Sequence, residues 1–151
     1  MRVATFNCAL EAPGRQFDCF YSAVRAGVGR ITPTPPPPGA PFRAEVVARR
    51  IGERRAHLLS APGHDAARTA ADCRRDPCGD LHVVLIRRGA RGFSLAGREF
   101  EAMAGQIAFC PLWRPFRLHA ASAGYAAFSL ALPLGERERA RVERFLVGAA
   151  P

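Results

Sequence analysis

Four histidines and five cysteines are the side chains of this 151-residue sequence best suited to chemistry. A metal centre inside a β-barrel needs nitrogen and oxygen ligands that converge: a His-x-His pair, a Glu a few residues later and a further His on a later strand. His57, His64, His82 and His119 do not make that pattern. No two are spaced as His-x-His, His82 is followed by Val83 and Val84 with no acid on its strand, and His119 stands alone where a late-strand ligand would lie. Ordinary, partly buried histidines are the plainer reading, so neither a metal nor a cofactor is expected. Cys8, Cys19, Cys73, Cys78 and Cys110 are odd in number and show no Cys-x-x-Cys spacing. They read as reduced, structural thiols rather than a disulfide frame. Ser60, Ser94, Ser122 and Ser129 lack the Gly-x-Ser-x-Gly setting of a nucleophile elbow, and the glycines follow turns rather than a phosphate-cradling loop. No catalytic residue is therefore expected. Trp113 says more. It lies between Pro111 and Pro115, where its ring either plugs the end of a barrel or stacks on a ligand at the mouth.

The elements that must position these residues are short strands. From Leu81 to Leu132 apolar and β-branched runs alternate with turn signals at Gly89, Gly97, Gly105, Pro111, Pro115 and Gly124. Such regular punctuation predicts an antiparallel sandwich or barrel, and nothing in this stretch has the period of a long helix. Phe42 to Arg50 and Arg54 to Ala61 read as two more strands joined by a tight turn at Gly52-Glu53. On the second, His57 shares a face with Arg55 and Leu59. Pro13 to Ala26 reads as a helix: Phe17, Phe20, Tyr21 and Val24 form an apolar stripe, with Pro13 in the first turn and Gly27 and Gly29 at the end. Thr32 to Pro41 is a proline-rich stretch read as a stiff extended spacer. Met1 to Glu11 is open between an arm and a stray strand, and Ala66 to Arg75 between helical turns and a crossing strand. Leu134 to Val147 reads as a charged amphipathic helix with Val142, Phe145 and Leu146 on one face.

All 22 basic residues are Arg, and the net charge is +9. A basic chain attracts anionic polymers non-specifically. Here the arginines are interleaved with acids, so a solvated surface is expected rather than a nucleic-acid face. No basic segment leads into a long apolar run at the start, and no apolar stretch is long enough to span a bilayer. A cytoplasmic protein with no membrane contact is expected.

Three stretches carry a family resemblance: Pro41 to Val46; Ala67-Arg-Thr69 leading into Asp76-Pro77 and Leu81 to Ile86; and Gly89 through Gly97-Arg-Glu, Ala104-Gly105 and Pro115 to Leu118, closing at Leu130-Ala-Leu-Pro133. In order and spacing, over residues 17–135, they resemble the N-terminal sensor domain of AraC-family transcription factors, the AraC-binding-like variant. Ala104-Gly105-Gln106 stands where that family often has Pro-Gly-Asp.

The resemblance implies a mainly β fold: a cupin-like double-stranded β-barrel, or jelly roll, with an N-terminal and a C-terminal helix. It divides the chain into an arm, helix and linker (1–41), a sensor barrel (42–133) and a connecting or dimerising helix (134–151). It implies a non-catalytic role in sensing a small-molecule effector, in homodimerising, or in both. DNA would be contacted only through a helix-turn-helix domain that this sequence does not contain. By strand position His57, His82, Trp113, His119 and Tyr125 are the candidate ligand contacts, and Val142, Phe145 and Leu146 the candidate dimer contacts. Alternation alone does not say which strand faces point inward, because both faces of several strands are apolar. Two alternatives stand beside this reading. One is a dimerisation module whose barrel is filled by Phe93, Phe109, Phe116 and Phe128. The other is a metal-dependent cupin enzyme.

Overall fold

Period-two alternation of apolar residues resolves into two antiparallel sheets in a computed structural model that describes residues 3–148. One sheet contains β1 (Val3–Asn7), β3 (Glu45–Ile51), β4 (Arg54–Pro62), β11 (Gly124–Pro133), β6 (Asp80–Arg88) and β9 (Ile107–Pro111), side by side in that order. The other runs β2 (Thr32–Pro33), β5 (Ala66–Arg68), β10 (Phe116–Ala120), β7 (Ala90–Leu95) and β8 (Arg98–Met103). Helix α1 (Pro13–Gly27) lies between β1 and β2, α2 (Ala70–Arg75) between β5 and β6, and α3 (Glu136–Gly148) follows β11. This is the expected double-stranded barrel with a helix near each end. The outermost parts of the expected arm and C-terminal segment, 1–2 and 149–151, lie outside the described residues.

Local chemistry explains the boundaries. Pro13 sits in the first turn of α1, where a missing N–H costs nothing, and Val28 N–H closes the last turn on Val24 O at 2.7 Å. The buried side of α1 carries Phe20, Ala23 and Val24. Buried Gln16 staples the helix to the barrel: its Oε1 accepts from Phe42 N at 2.8 Å and its Nε2 donates to Glu11 O at 3.2 Å. The β7–β8 hairpin turns through Ala96 and Gly97, with φ of 53° and 77°, the left-handed pair that a tight hairpin requires. Thr69 caps α2 reciprocally with Asp72, their backbone N–H groups reaching the other's side chain at 2.9 and 3.1 Å.

Three segments differ from or settle the sequence reading. The proline-rich spacer is not wholly a spacer: Thr32 and Pro33 pair with Ala67 and Ala66, and Pro33 is buried. Proline is tolerated there because β2 is an edge strand, which leaves one side of its backbone unpaired. Val3 to Asn7 forms a strand in register with β3, from Val3 opposite Arg49 to Asn7 opposite Glu45. Ala66 to Arg75 is strand and then helix, with Thr69 at the switch.

Candidate functional site

Between the two sheets and α1 lies a partly open cavity of about 100 Å³. Most of its wall is apolar and follows from alternation. Phe93 on β7, Phe116 and Leu118 on β10, Val84 and Ile86 on β6, and Ala127 on β11 point inward, while Phe20, Val24 and Val28 line it from the helix side. Polar groups converge on this apolar space: His57, His64, His82, Arg91, Tyr125, Ser129 and Cys110. A small set of polar side chains in an otherwise apolar pocket is the usual make-up of a ligand site.

Register places the histidines. Ser129 lies directly across from His57 on β4, and His82 occupies the next strand on the other side of β11. His82 Nδ1 and Ser129 Oγ are 2.9 Å apart, and the His57 and His82 rings lie parallel with centroids 6.3 Å apart. Burial pulls the His82 pKa down to about 4, with neighbouring His57 adding to the effect. Burial and then the Arg55 charge bring His57 to about 4, opposed by the Gly27 backbone. α1 comes so close here that a Cβ on Gly27 would meet His57 Nε2 at 2.7 Å. His64, in the loop after β4, sits against the rings of Phe20, Phe42 and Tyr125. Its Nδ1 is 2.8 Å from Pro62 O, and burial followed by the Arg91 charge lowers its pKa to about 4. All three imidazoles are neutral at pH 7. Burial pushes the Cys110 thiol up to about 12 and raises the Tyr125 phenol, so both keep their protons.

Arg91 is the one cation of the wall. It is 2% exposed, its Nη1 donates to His64 O, and its guanidinium carbon lies 4.7 Å from the centre of the Tyr125 ring. Its Nε and Nη2 have no partner. Burial lowers its pKa, yet a guanidinium stays charged in proteins.

Of the residues proposed from sequence as ligand contacts, the cavity gathers His57, His82 and Tyr125. Trp113 and His119 are placed elsewhere. The Trp113 indole N–H donates to Glu143 on α3, and Arg114 pairs with the same carboxylate at 2.9 Å. His119 alternates with Phe116 and Leu118 on β10 and so projects from the opposite face. Four polar cavity residues went unproposed as ligand contacts: His64, Arg91, Cys110 and Ser129. Ser129 shares parity with Tyr125 and Ala127, and Arg91 with Phe93 and Leu95, so alternation carried the signal for both. On α3, Leu146 packs against the core, Val142 is half-buried, and Phe145 is 72% exposed. Of the four phenylalanines proposed as barrel filling, Phe93 and Phe116 are inside, Phe128 is half-buried and Phe109 is 49% exposed. Among the described residues no three His, Cys, Asp or Glu side chains converge as a metal site would require.

No protein-family model matches the sequence, and no curated protein is similar to it. The solved structure of the AraC-like transcriptional activator CuxR superimposes over 97% of this chain and 59% of its own, with a TM-score of 0.74 and 18% identity. The chain has the fold of that AraC-like activator's barrel. It spans less than two thirds of the activator's length. An HTH_3-family transcriptional regulator from Vibrio cholerae superimposes over 61% of this chain and 52% of its own, with a TM-score of 0.50 and 7% identity. Among the described residues no helix is long and apolar enough to cross a membrane.

Proposed function

We propose that this chain is the effector-sensing part of an AraC-type transcription regulator. It is non-catalytic and binds a small molecule in the cavity between the sheets. The observation that carries this reading is a mostly apolar pocket with convergent polar groups, flanked by a helix, in a fold shared with an AraC-like activator. In this reading residues 42–133 are the sensing barrel, 1–41 supply its roof and edge strands, and 134–151 connect to a partner surface. A route to α3 exists: Leu112 lines the cavity, and the next residue, Trp113, bonds to Glu143. Occupancy transmits a signal only to the extent that the effector binds one seating of α1 and α3 better than another. Val142, Phe145 and Leu146 are the proposed homodimer contacts. DNA contact would belong to a helix-turn-helix domain, and the site of action would be the cytoplasm.

The test is a thermal-melt screen of small apolar and amphiphilic molecules against the chain, repeated on Ala127→Phe, which fills the cavity. At least one molecule should raise the melting temperature, and Ala127→Phe should remove that rise while melting cooperatively. A screen in which nothing raises the melting temperature of the parent chain would count against sensing. It would favour a barrel that only dimerises.

A further inference from the structure

Arg91 is unexplained by an apolar effector. Placing a guanidinium in a mostly apolar space is costly unless its charge and its donors are met. Among the described residues the ion pairs are Arg55 with Asp80, Arg68 with Asp76 and Arg114 with Glu143, and none involves Arg91. Asp65, the carboxylate whose charge reaches it, makes no ion pair with it and has Oδ1 engaged by Ala120 N at 2.9 Å. The unmet donors are not scattered. Nε and Nη2 lie on one edge of the guanidinium, and that edge can give two parallel N–H groups to a planar carboxylate. Nη1, on the other edge, is held by His64 O, and the Tyr125 ring lies against the cation. The group is thus held on one edge, and among the described residues its other edge, itself buried, meets no acceptor. From this we infer that the cavity binds a small monocarboxylate, its two oxygens on Nε and Nη2 of Arg91 and its body against Phe93, Phe116 and Ala127. The inference rests on the sensing reading above and gives it a ligand class.

Charge argues for a carboxylate over a phosphate. The wall holds one positive charge, because His57, His64 and His82 are neutral at pH 7 and Cys110 and Tyr125 keep their protons. A monoanion neutralises Arg91. A phosphomonoester dianion would leave an unpaired negative charge in an apolar space, which costs several kcal/mol. Volume limits the body: a cavity of this order takes one six-membered ring.

The experiment is calorimetric titration of the full chain at pH 7 and fixed ionic strength with benzoate, benzamide and phenyl phosphate, followed by the same on Arg91→Met and Arg91→Lys. Benzoate should bind about tenfold to a hundredfold tighter than benzamide, the factor expected when a hydrogen bond gains a charged partner. Phenyl phosphate should bind more weakly than benzoate. Arg91→Met should erase the benzoate preference, with the loss of affinity falling more heavily on benzoate than on benzamide. Arg91→Lys, which keeps the charge but not the fork, should fall between. Equal affinity for benzoate and benzamide overturns the inference and leaves the sensing reading in place. Tighter binding of phenyl phosphate overturns the choice of carboxylate. Binding of none of the three removes both. The comparison of probes on the unmodified chain decides the matter even if Arg91→Met does not fold.

Discussion

Among the described residues two arginines are buried, at 1% and 2% exposure, and they stand in opposite states. Arg68 is saturated. Its Nε donates to Leu112 O at 2.7 Å, its Nη1 to Arg30 O at 2.8 Å and its Nη2 to Asp76 O at 2.6 Å, and the Asp76 carboxylate lies 3.4 Å from Nη1. It ties together the chain before β2, the end of α2 and the loop before β10. Arg91 holds a single acceptor and keeps one edge of its fork bare. A buried charge whose hydrogen bonds are complete is part of the fold. A buried charge left incomplete inside a cavity is a place for something else. The contrast teaches that burial alone does not sort structural from functional arginines; the tally of donors and acceptors does.

The largest expected effect tests the saturated member. Arg68→Met leaves Leu112 O, Arg30 O and Asp76 O without their donor and the Asp76 carboxylate without its cation. Leaving buried acceptors unmet costs about 1–3 kcal/mol each, and the Asp76 carboxylate, 37% exposed, adds little. Urea denaturation should show that loss; a cost below about 1 kcal/mol would mean these acceptors find other partners and the saturated state contributes little.

The next effect belongs to the Arg91 chamber and depends on pH. His57, His64 and His82 each have a folded pKa near 4 against an ordinary value of 6.5. Between those values the unfolded chain takes up protons that the folded chain refuses, so stability falls as pH falls through that window. It is complete above about 6.5 and levels off below about 4, and each imidazole accounts for about 3 kcal/mol across the window. The chain should lose most of its urea resistance between pH 6.5 and 4. His82→Phe should flatten part of that slope, whereas the Arg68 charge is the smallest of the influences on His82 and Arg68→Met should change the slope far less. A slope that persists in full after His82→Phe would place the titration elsewhere.

Arg91→Met comes third, with its sign reversed relative to Arg68→Met. Removing an unpaired buried charge relieves a desolvation cost, while His64 O loses one donor. The denaturation midpoint without ligand should stay level or rise, by about 1 kcal/mol. A loss as large as that of Arg68→Met would erase the distinction between the two residues and with it the basis for a carboxylate.

The same comparison explains what the sequence disclosed. Strand order along β6 to β11 and both terminal helices follow from period two, period 3.6 and turn residues. His57, His82 and Tyr125 sit on faces that alternation permits. Arg91 was legible in principle, since Arg91, Phe93 and Leu95 share parity on β7. It was hidden among 22 arginines, where a basic residue between glycines reads as surface. Arg68 was beyond reach: its acceptors at Arg30, Asp76 and Leu112 come from three distant segments, and no local pattern encodes that meeting. His119 was chosen by strand position, although its opposite parity to Phe116 and Leu118 sets it on the other face of β10. Trp113 lies in a turn, where no alternation applies, and its partner on α3 is 30 residues away.

The smallest effect concerns the link from chamber to helix. Glu143 accepts the Trp113 indole and pairs with Arg114, both side chains of that ion pair being about one-third exposed. Exposed pairs contribute about 0.5–1 kcal/mol, so Glu143→Ala should lower global stability by no more than that. Its local effect is easier to see, because Trp113 is the single Trp of the chain and its fluorescence reports the α3 contact alone. Glu143→Ala should shift that emission toward the red, and Glu143→Gln, which keeps an acceptor, should shift it less. Because Leu112 lines the cavity, benzoate should also move the emission of the parent chain and not that of Glu143→Ala. Emission that responds to neither substitution would show that α3 is held by Leu146 packing and that the indole bond carries no coupling. Emission that responds to the substitutions but not to benzoate would leave the tether intact as structure and sever it from the chamber.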